Sequence, residues 1–130
     1  VWQGTSQTRS IQKMALPGGT PELVHDQAHR PELSPDGRRY VFADSTQQGS
    51  LFIADVDGSN VTRIAGVDGT SATFSPDGTR IAYTVFDDAH SCSHVEVVAT
   101  DGSQADAPVR IRDCGQSGEF ITELAWFVRP

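Results

Sequence analysis

The sequence has no long hydrophobic run. Hydrophobic residues make up 37% of its 130 residues, and the longest unbroken apolar runs fall far short of the ~20 residues that a membrane-spanning helix needs. The chain begins Val1-Trp2, without an initiator methionine and without the charged and apolar pattern of a signal peptide. We therefore expect a mature or excised ectodomain, with any signal or anchor outside this chain.

Basic residues are also scarce. The sequence holds 10 Lys and Arg against 17 Asp and Glu, which gives a formal net charge of −7. A surface of that sign repels phosphate backbones, and the arginines are scattered among acidic residues. This balance argues against a nucleic-acid partner.

Signatures of catalysis are missing as well. No serine lies in a Gly-x-Ser-x-Gly elbow, and the sequence contains no phosphate-binding loop and no dinucleotide fingerprint. We therefore predict a protein that is not an enzyme and that carries no cofactor.

A repeat of about 41 residues is the strongest positive signal. Residues 31–40, PELSPDGRRY, are echoed by residues 71–80, SATFSPDGTR. A period near ~40 residues with several strands per unit is typical of propeller blades. In each Ser-Pro-Asp-Gly, proline presets φ, aspartate can hydrogen-bond its own backbone, and glycine accepts a positive φ. Each motif therefore predicts a turn between two antiparallel strands.

The segments after each turn are repeated too. They are rich in β-branched and aromatic residues, and the strands directly after the turns are apolar on both faces, as expected between neighbouring blades. The third strand of each unit ends in Asp-Gly, a strong hairpin signal. The predicted second, third and fourth strands cover residues 39–44, 51–56 and 60–64 in one unit, and 80–86, 94–100 and 108–113 in the next.

The two ends of the chain match parts of the same unit. Residues 11–19 match a third strand with its turn, and residues 21–24 supply a fourth strand. Val1-Trp2-Gln3 falls on the end of a second strand. Residues 121–127 have the pattern of a first strand, displaced by 11 extra residues from the position that the repeat predicts.

The order strand, Ser-Pro-Asp-Gly, strand, (Leu/Ile)-x-x-Asp-x-Asp-Gly runs from Leu33 to Gly58. It resembles the TolB-type repeat, a WD-repeat-like blade of the translocation protein TolB, of tricorn-type and prolyl-oligopeptidase-type proteases and of bacterial sensor ectodomains. The resemblance implies an all-β β-propeller with four-stranded antiparallel blades, three per chain. Blade one would comprise residues 1–24 completed by 119–127, blade two 29–66 and blade three 70–114.

The two cysteines flank the last hairpin. If Glu96 pairs with Arg110, the same register places Cys92 opposite Cys114, and opposed antiparallel residues have Cα atoms ~4.5–5.5 Å apart, within the range of a disulfide. We predict this bond, with two free thiols or a metal role as the alternatives. A disulfide implies an oxidising compartment, so we expect an extracytoplasmic location: secreted, periplasmic or membrane-anchored.

A metal site is the competing interpretation of the histidines. His90, Cys92 and His94 alternate along one predicted strand and could project together, but they supply no second half-site for zinc. His25 and His29 could join them if the fold brought the loops together. We expect each histidine to be an exposed or hydrogen-bonded loop residue, and we assign no metal.

Two acidic clusters could also be ligands or catalytic pairs. Asp55 and Asp57 belong to a hairpin whose backbone geometry explains Asp57, and the further ligands of a calcium loop are missing. Asp87 and Asp88 begin the predicted loop 87–93, which is most simply a solvated edge.

These features predict a binding or sensor domain of a bacterial signalling or envelope protein, which recognises a protein or small ligand through its loops. The alternative is a propeller accessory to a hydrolase, which would gate substrate access as in tricorn or prolyl oligopeptidase. A metal-dependent lyase would require the histidines to converge. The resemblance fixes none of these roles, because fold does not determine activity.

Three blades do not close a ring, since propellers have ~4–8. We therefore expect a homodimer of six blades, in which residues 121–127 of each subunit complete the other subunit's blade one. The alternative is that the chain is cut from a longer propeller. The expected seam consists of Val1, Trp2, Leu124, Trp126 and Phe127.

Overall fold

The computed structural model describes residues 9–44, 46, 50–65, 69–105, 107–114, 121 and 124–126. Its regular elements are ten β-strands. No helix in these ranges is long and apolar enough to cross a membrane. In chain order the strands are β1 (Ser10–Lys13), β2 (Glu22–Asp26), β3 (Ala28–Leu33), β4 (Arg39–Asp44), β5 (Leu51–Asp55), β6 (Thr62–Ala65), β7 (Gly69–Phe74), β8 (Arg80–Asp87), β9 (Cys92–Ala99) and β10 (Val109–Arg112).

The strands form three antiparallel sheets, which we call blades one, two and three. Blade one contains β1 and β2, blade two contains β3 to β6 in that order, and blade three contains β7 to β10 in that order. Each strand pairs with its neighbour in sequence, which is the order of a propeller blade. The predicted all-β class and the four-stranded antiparallel blades are confirmed.

Each Ser-Pro-Asp-Gly turn is closed by the same hydrogen bonds. In blade three, the Ser75 hydroxyl donates to Asp77 Oδ1 over 2.6 Å and accepts from the Arg80 amide over 3.0 Å, while the Thr79 amide donates to Asp77. Ser34, Asp36 and Arg39 repeat this arrangement in blade two. Gly78 has φ +72°, a conformation that glycine adopts without strain.

The core lies between the blades. The cluster between blades two and three includes Val41, Ile53, Ile64, Ile81 and Tyr83. A second cluster joins blades one and two around Ile11, Tyr40 and Phe42, among others. Blade two is therefore covered on both faces, as predicted from its two-sided apolar strands.

A β-bulge recurs in the outermost strand of every blade. The ladder register shifts between Ile11 and Gln12 in blade one, between Leu51 and Phe52 in blade two, and between Arg110 and Arg112 in blade three. The extra residues are Val24, Ile64 and Ile111, which are therefore equivalent.

The hairpin glycines lie close to the preceding blade. A Cβ on Gly58 would meet Val24 Cγ1 at 2.7 Å, and one on Gly102 would meet Thr62 Cγ2 at 3.0 Å. Gly18, at the corresponding turn of blade one, has nothing within 4 Å of its Cβ position. A side chain at Gly58 or Gly102 would therefore crowd a side chain of the preceding blade, and the positive φ of both glycines adds backbone strain.

The C-terminal segment differs from the expected first strand. Its described residues, 121 and 124–126, belong to no strand. Ile121, Leu124 and Trp126 instead pack on the outer face of blade three, against Ala82, Val95 and Val97. A strand needs a hydrogen-bonded neighbour, and the described residues offer none beside this segment.

Candidate functional site

Blade three has two ends, and each end carries a different set of loops. One end carries the Ser-Pro-Asp-Gly turn and the Asp101-Gly102 hairpin. The opposite end carries the loop between β8 and β9, at residues 88–91, and the end of β10. We call this opposite end the disulfide end, because Cys92 at the start of β9 is bonded there to Cys114 beyond β10, with Cα atoms 5.7 Å apart.

The register near this bond differs in one detail from the expected one. Arg110 pairs with Glu96 as predicted, but the bulge at Ile111 places Arg112 opposite Val95, and β10 ends at Arg112. The two cysteines are therefore joined across the end of the hairpin and not as opposed residues of a regular ladder.

A groove of about 530 Å³ opens beside the disulfide. The β8–β9 loop forms one wall, and the end of β10 forms the other. Charged groups of both signs line it, which suits a polar ligand. The lining residues are Asp87, Ala89, His90, Ser91, Arg110, Asp113 and Cys114.

Asp87 organises the loop wall. Its Oδ1 accepts hydrogen bonds from the Ala89 and His90 amides, and its Oδ2 lies 2.9 Å from His90 Nδ1. The hydrogen bond from the His90 side chain, together with the backbone bonds, holds the pKa of Asp87 below its usual value. Asp87 is therefore an anion fixed at the groove wall at neutral pH.

A polar network lies under the groove, between blades three and two. The Tyr83 hydroxyl donates to Glu96 Oε2 over 2.7 Å, His94 Nε2 lies 3.0 Å from Glu96 Oε1, and an Arg110 guanidinium nitrogen lies 3.7 Å from the same oxygen. Burial, and then the bond to Glu96, raises the pKa of Tyr83. Glu96 is thus the acceptor that joins three side chains into one unit.

His94 lies on strand β9, where the strand predicted at residues 94–100 begins, and it is hydrogen-bonded to Glu96. The expectation that it is a loop residue is wrong, and its side chain is buried, with 5% exposed. Its Nδ1 has no hydrogen-bond partner among the described residues. The strand register is the sequence feature that could have revealed this polar network. Tyr83 and Arg110 both pair with Glu96, so three polar side chains meet on a strand face that is otherwise apolar.

The other histidines behave differently. His90 is exposed in the loop, as expected. His25 lies on β2 and stacks on Phe42, with ring centroids 4.5 Å apart, so it belongs to the packing between blades one and two. Burial, followed by the charges of Arg9 and Arg30, lowers the pKa of His29. His25 and His29 thus lie on strands of blades one and two, whereas His90 lines the groove of blade three.

One set of side chains has the spacing of metal ligands. Donor atoms of Asp87, His94 and Cys114 lie within 4.8 Å of one another. The Cys114 sulfur is bonded to Cys92, and a disulfide sulfur is not the thiolate that binds zinc. One carboxylate and one imidazole remain, short of the three or four protein ligands of a zinc site. The set does not fit a metal while the disulfide is closed.

The remaining acidic candidates have structural partners. Asp57 accepts from the Ser59 hydroxyl and amide, which lower its pKa, and Asp55 accepts from Asn60 Nδ2. Both therefore brace the β5–β6 hairpin. Of the expected seam, Leu124 and Trp126 lie on blade three, and Trp126 Nε1 donates to the Thr73 carbonyl. Val1, Trp2 and Phe127 lie outside the described residues.

Comparison with known proteins agrees with this architecture. No family model matches the chain, and no curated protein sequence matches it either. Solved structures do match. They include the structure of a putative TolB from Agrobacterium tumefaciens, with 24% identity and a TM-score of 0.66 over 85% of this chain and 44% of that one. TolB from Acinetobacter baumannii matches with 15% identity and a TM-score of 0.65, over 87% of this chain and 29% of that one.

A third match is the β-propeller domain of the trilobed protease from Pyrococcus furiosus, with 15% identity and a TM-score of 0.61, over 81% of this chain and 35% of that one. The chain thus spans less than half the length of each of these three structures. Its blades define it as a β-propeller segment. More particularly, its fold is that of the TolB-like propellers, as the repeat predicted.

Proposed function

We propose that this chain is a non-catalytic, extracytoplasmic binding or sensor domain of a bacterial signalling or envelope protein. Its ligand contacts the groove at the disulfide end. The observation that carries the proposal is the groove itself: a cavity of about 530 Å³ with charged walls, held by a covalent bond at a loop end of a rigid β-scaffold. Loops on such scaffolds commonly carry binding function.

The charges of the groove favour one class of ligand. Arg110 supplies a half-exposed cation, while Asp87 and Asp113 supply anions on either side of it. A short peptide segment with free or charged ends presents both a cation and a carboxylate, which are complementary to these groups. The Arg110 guanidinium lies 3.7 Å from Glu96 and 3.6 Å from Asp113, so both carboxylates favour its position beside the groove.

Two further observations support the compartment and the absence of catalysis. Disulfides persist in oxidising compartments, and TolB structures are among the matches. Both sulfur nucleophiles of the sequence are consumed in the disulfide. Trapping free thiols with an alkylating reagent in intact cells tests the compartment: an unmodified protein supports it, and two alkylated cysteines contradict it.

A propeller accessory to a hydrolase is the second candidate. The match to the propeller domain of a protease favours it. In that case, the protein that carries this chain would also carry a hydrolase domain, and the groove would face its substrate entrance. The complete reading frame distinguishes the two candidates.

The binding proposal can be tested by NMR. A mixture of random tetrapeptides is titrated into the ¹⁵N-labelled chain, and we expect shifts of the amides at residues 87–91 and 110–114. Arg110→Ala should abolish them. Arg38→Ala, in the turn at the opposite end of blade two, is the matched control and should leave them unchanged. Shifts centred on the Ser-Pro-Asp-Gly turns, or no shifts at all, would contradict the proposal.

A further inference from the structure

The hairpin of β8 and β9 is longer than its counterpart in blade two. By the 41-residue repeat, Phe42 is equivalent to Tyr83, and their ladder partners are Phe52 and Glu96. On this alignment β8 continues for two residues beyond the end of β4, and β9 begins three residues before the start of β5. The added residues are Phe86, Asp87, Cys92, Ser93 and His94. Carboxylate, thiolate and imidazole, which three of these side chains supply, are the ligand types of zinc.

These three side chains form one cluster with Cys114. Asp87 and Cys92 are directly opposed in the ladder of β8 and β9. His94 projects from the same face of β9 as Cys92, because it lies two residues further along the strand. Donor atoms of Asp87, His94 and Cys114 lie within 4.8 Å of one another. Since Cys92 Sγ is bonded to Cys114 Sγ, two sulfurs, one imidazole and one carboxylate meet at one place.

The ring of His94 is oriented as in metal-bound histidines. Its Nε2 lies 3.0 Å from Glu96 Oε1, and because a carboxylate only accepts hydrogen bonds, we assign a proton to Nε2. The lone pair of the neutral ring is then on Nδ1, which is buried without a hydrogen-bond partner among the described residues. A carboxylate that fixes one ring nitrogen while the other nitrogen binds the ion is typical of metal sites. A disulfide alone gives no reason for this orientation.

The spacing of the cluster is close to that of a tetrahedral zinc site. With Zn–S bonds of about 2.3 Å and Zn–N or Zn–O bonds of about 2.0–2.1 Å, the ligand atoms of such a site lie about 3.3–3.8 Å apart. The present separations are at most 4.8 Å, a difference that side-chain rotation can cover. The two sulfurs are the exception, because their covalent bond holds them too close together to be separate ligands. The Cα atoms of the cysteines are 5.7 Å apart, so the sulfurs can separate without a movement of the strands.

Asp87 can bind a metal ion and still support the loop. Its Oδ1 accepts from the amides of Ala89 and His90, while its Oδ2 contacts only the exposed His90 ring among the hydrogen bonds of this carboxylate. If Oδ2 exchanges this exposed partner for a metal ion, the backbone hydrogen bonds to Oδ1 stay in place. The carboxylate is therefore available to the cluster at little cost to the β8–β9 loop.

We propose that the reduced chain binds one zinc ion through the two cysteine sulfurs, His94 and Asp87, and that closure of the disulfide expels the ion. A dithiol reductant supplies two electrons and two protons to the sulfur–sulfur bond and becomes a cyclic disulfide, so that two cysteine thiols form. Zinc binding then releases both thiol protons, because the metal binds thiolates. In the reverse direction, an oxidising disulfide takes two electrons from the thiolates and is reduced to two thiolates, the Cys92–Cys114 bond forms, and Zn²⁺ leaves. Zinc itself undergoes no redox change.

Absorption of Co²⁺ tests the proposal, because tetrahedral Co²⁺ with thiolate ligands absorbs visible light and Zn²⁺ displaces it. The 130-residue chain is reduced with a phosphine, which becomes a phosphine oxide by taking the oxygen of water, and the reductant is removed under argon. We expect one equivalent of Co²⁺ to bind with tetrahedral d–d bands and a thiolate charge-transfer band. The oxidised chain should show neither band. A low-molecular-weight disulfide added to the zinc-loaded chain should release one Zn²⁺ per chain. A reduced chain without these bands would overturn the proposal.

Two variants distinguish a four-ligand site from a pair of thiols alone. His94→Gln and Asp87→Asn should each weaken Co²⁺ binding by about tenfold or more, at least the loss that a change outside the ligand set causes. His29→Gln removes a histidine of blade two, away from the cluster, and is the matched control that should bind as the wild type does. Unchanged affinity in His94→Gln would contradict the proposal, because the two thiols would then bind the ion without the imidazole.

Thermal unfolding keeps the test decisive if reduction loosens the fold. Saturating Zn²⁺ should raise the Tm of the reduced chain by on the order of 5 °C or more, because the ion binds the folded form, and should leave the Tm of the oxidised chain unchanged. If the reduced chain is unfolded, Zn²⁺ should restore its β-structure in circular dichroism. The Cys92→Ser/Cys114→Ser variant should not respond to Zn²⁺. A reduced chain whose Tm and circular dichroism are both unaffected by Zn²⁺ would refute the site.

Discussion

Blades two and three are built from the same repeat and differ in what surrounds them. Blade two packs against a blade on each side, and its two central strands contribute Tyr40, Phe42 and Ala54 to one cluster and Val41 and Ile53 to another. Blade three has a blade on one side and a short segment on the other. The same strand pattern therefore gives a buried or an exposed side chain according to its neighbour, which the periodicity of a strand cannot encode.

The two blades also differ in the chemistry of one cross-strand pair. Blade two pairs Phe42 with Phe52, whose rings are 5.8 Å apart. The equivalent pair of blade three is Tyr83 and Glu96, which are hydrogen-bonded. Blade three thus replaces an aromatic contact with a polar network at the position that underlies the groove.

The largest expected effect is a difference in stability between alanine variants of the two bulge residues Ile64 and Ile111. Ile64→Ala should lower the free energy of unfolding by about 2–5 kcal/mol, because it leaves a cavity in the packed core. Ile111→Ala should cost about 0.5 kcal/mol or less in dilute protein, as for an exposed position. If Ile111 is covered in a dimer, its cost should rise with protein concentration, while that of Ile64 stays constant. Urea unfolding at two concentrations measures both, and equal losses would remove the distinction between the faces.

Reduction should destabilise blade three selectively. The disulfide closes a loop with a sequence separation of 22, for which chain-entropy reasoning gives about 3 kcal/mol. Thermal unfolding with and without a dithiol reductant should therefore show a clear fall in Tm. The Cys92→Ser/Cys114→Ser variant should already have the lower Tm and should not respond to reductant. An unchanged Tm in the reduced wild type would show that the bond adds no stability.

A pair of tyrosines probes the polar network. Tyr83→Phe should cost about 1.5–3 kcal/mol, because the partly buried carboxylate of Glu96 loses the hydrogen bond that the Tyr83 hydroxyl donates. Tyr40→Phe in blade two is the control: the Tyr40 hydroxyl is buried without a partner among the described residues, so its removal should be neutral or stabilising. Chemical denaturation compares them. Equal costs would mean that the bond to Glu96 contributes nothing.

The smallest effect concerns the turns. Hydrogen bonds from the Ser75 side chain and from the Thr79 amide and hydroxyl lower the pKa of Asp77 from 3.8 to about 2. A depressed carboxyl pKa stabilises the fold above the unfolded value, and this stability is lost as the pH falls from 3.8 towards 2. Thr79→Val should raise the pKa of Asp77 and leave that of Asp36 unchanged. An NMR titration of the carboxyl carbons measures both, and an unmoved Asp77 would exclude the hydroxyl as a cause.

The parts of the fold that short turn motifs determine could be predicted from the sequence. Ser-Pro-Asp-Gly and Asp-Gly turns place strands at fixed intervals, so blades two and three were predictable within a few residues. The pairing of Arg110 with Glu96 followed from the same spacing. The bulge at Ile111 did not, because an extra residue in one strand leaves no signal in the periodicity of the other.

The site was less predictable because it is assembled between strands. A loop histidine was expected at His94, and the structure buries it beside Glu96. Donor atoms of Asp87, from the end of β8, and of Cys114, beyond β10, lie within 4.8 Å of a ring nitrogen of His94, and a single strand pattern does not show such neighbours. The groove likewise depends on the side-chain arrangement around Asp87 and Arg110, while the sequence showed only acidic residues at the start of a loop.

The hairpin glycines have a consequence for how such a repeat tolerates sequence change. Gly58 and Gly102 serve two purposes at once, since each turns the chain and each sets the distance to the preceding blade. Gly18 serves the turn alone. The same residue type in successive repeats is therefore under unequal constraint: alanine at Gly18 would meet only the strain of a positive φ, whereas alanine at Gly58 would also collide with Val24 of the neighbouring blade. Tolerance to substitution in such a repeat thus depends on the neighbour of the turn as well as on the turn itself.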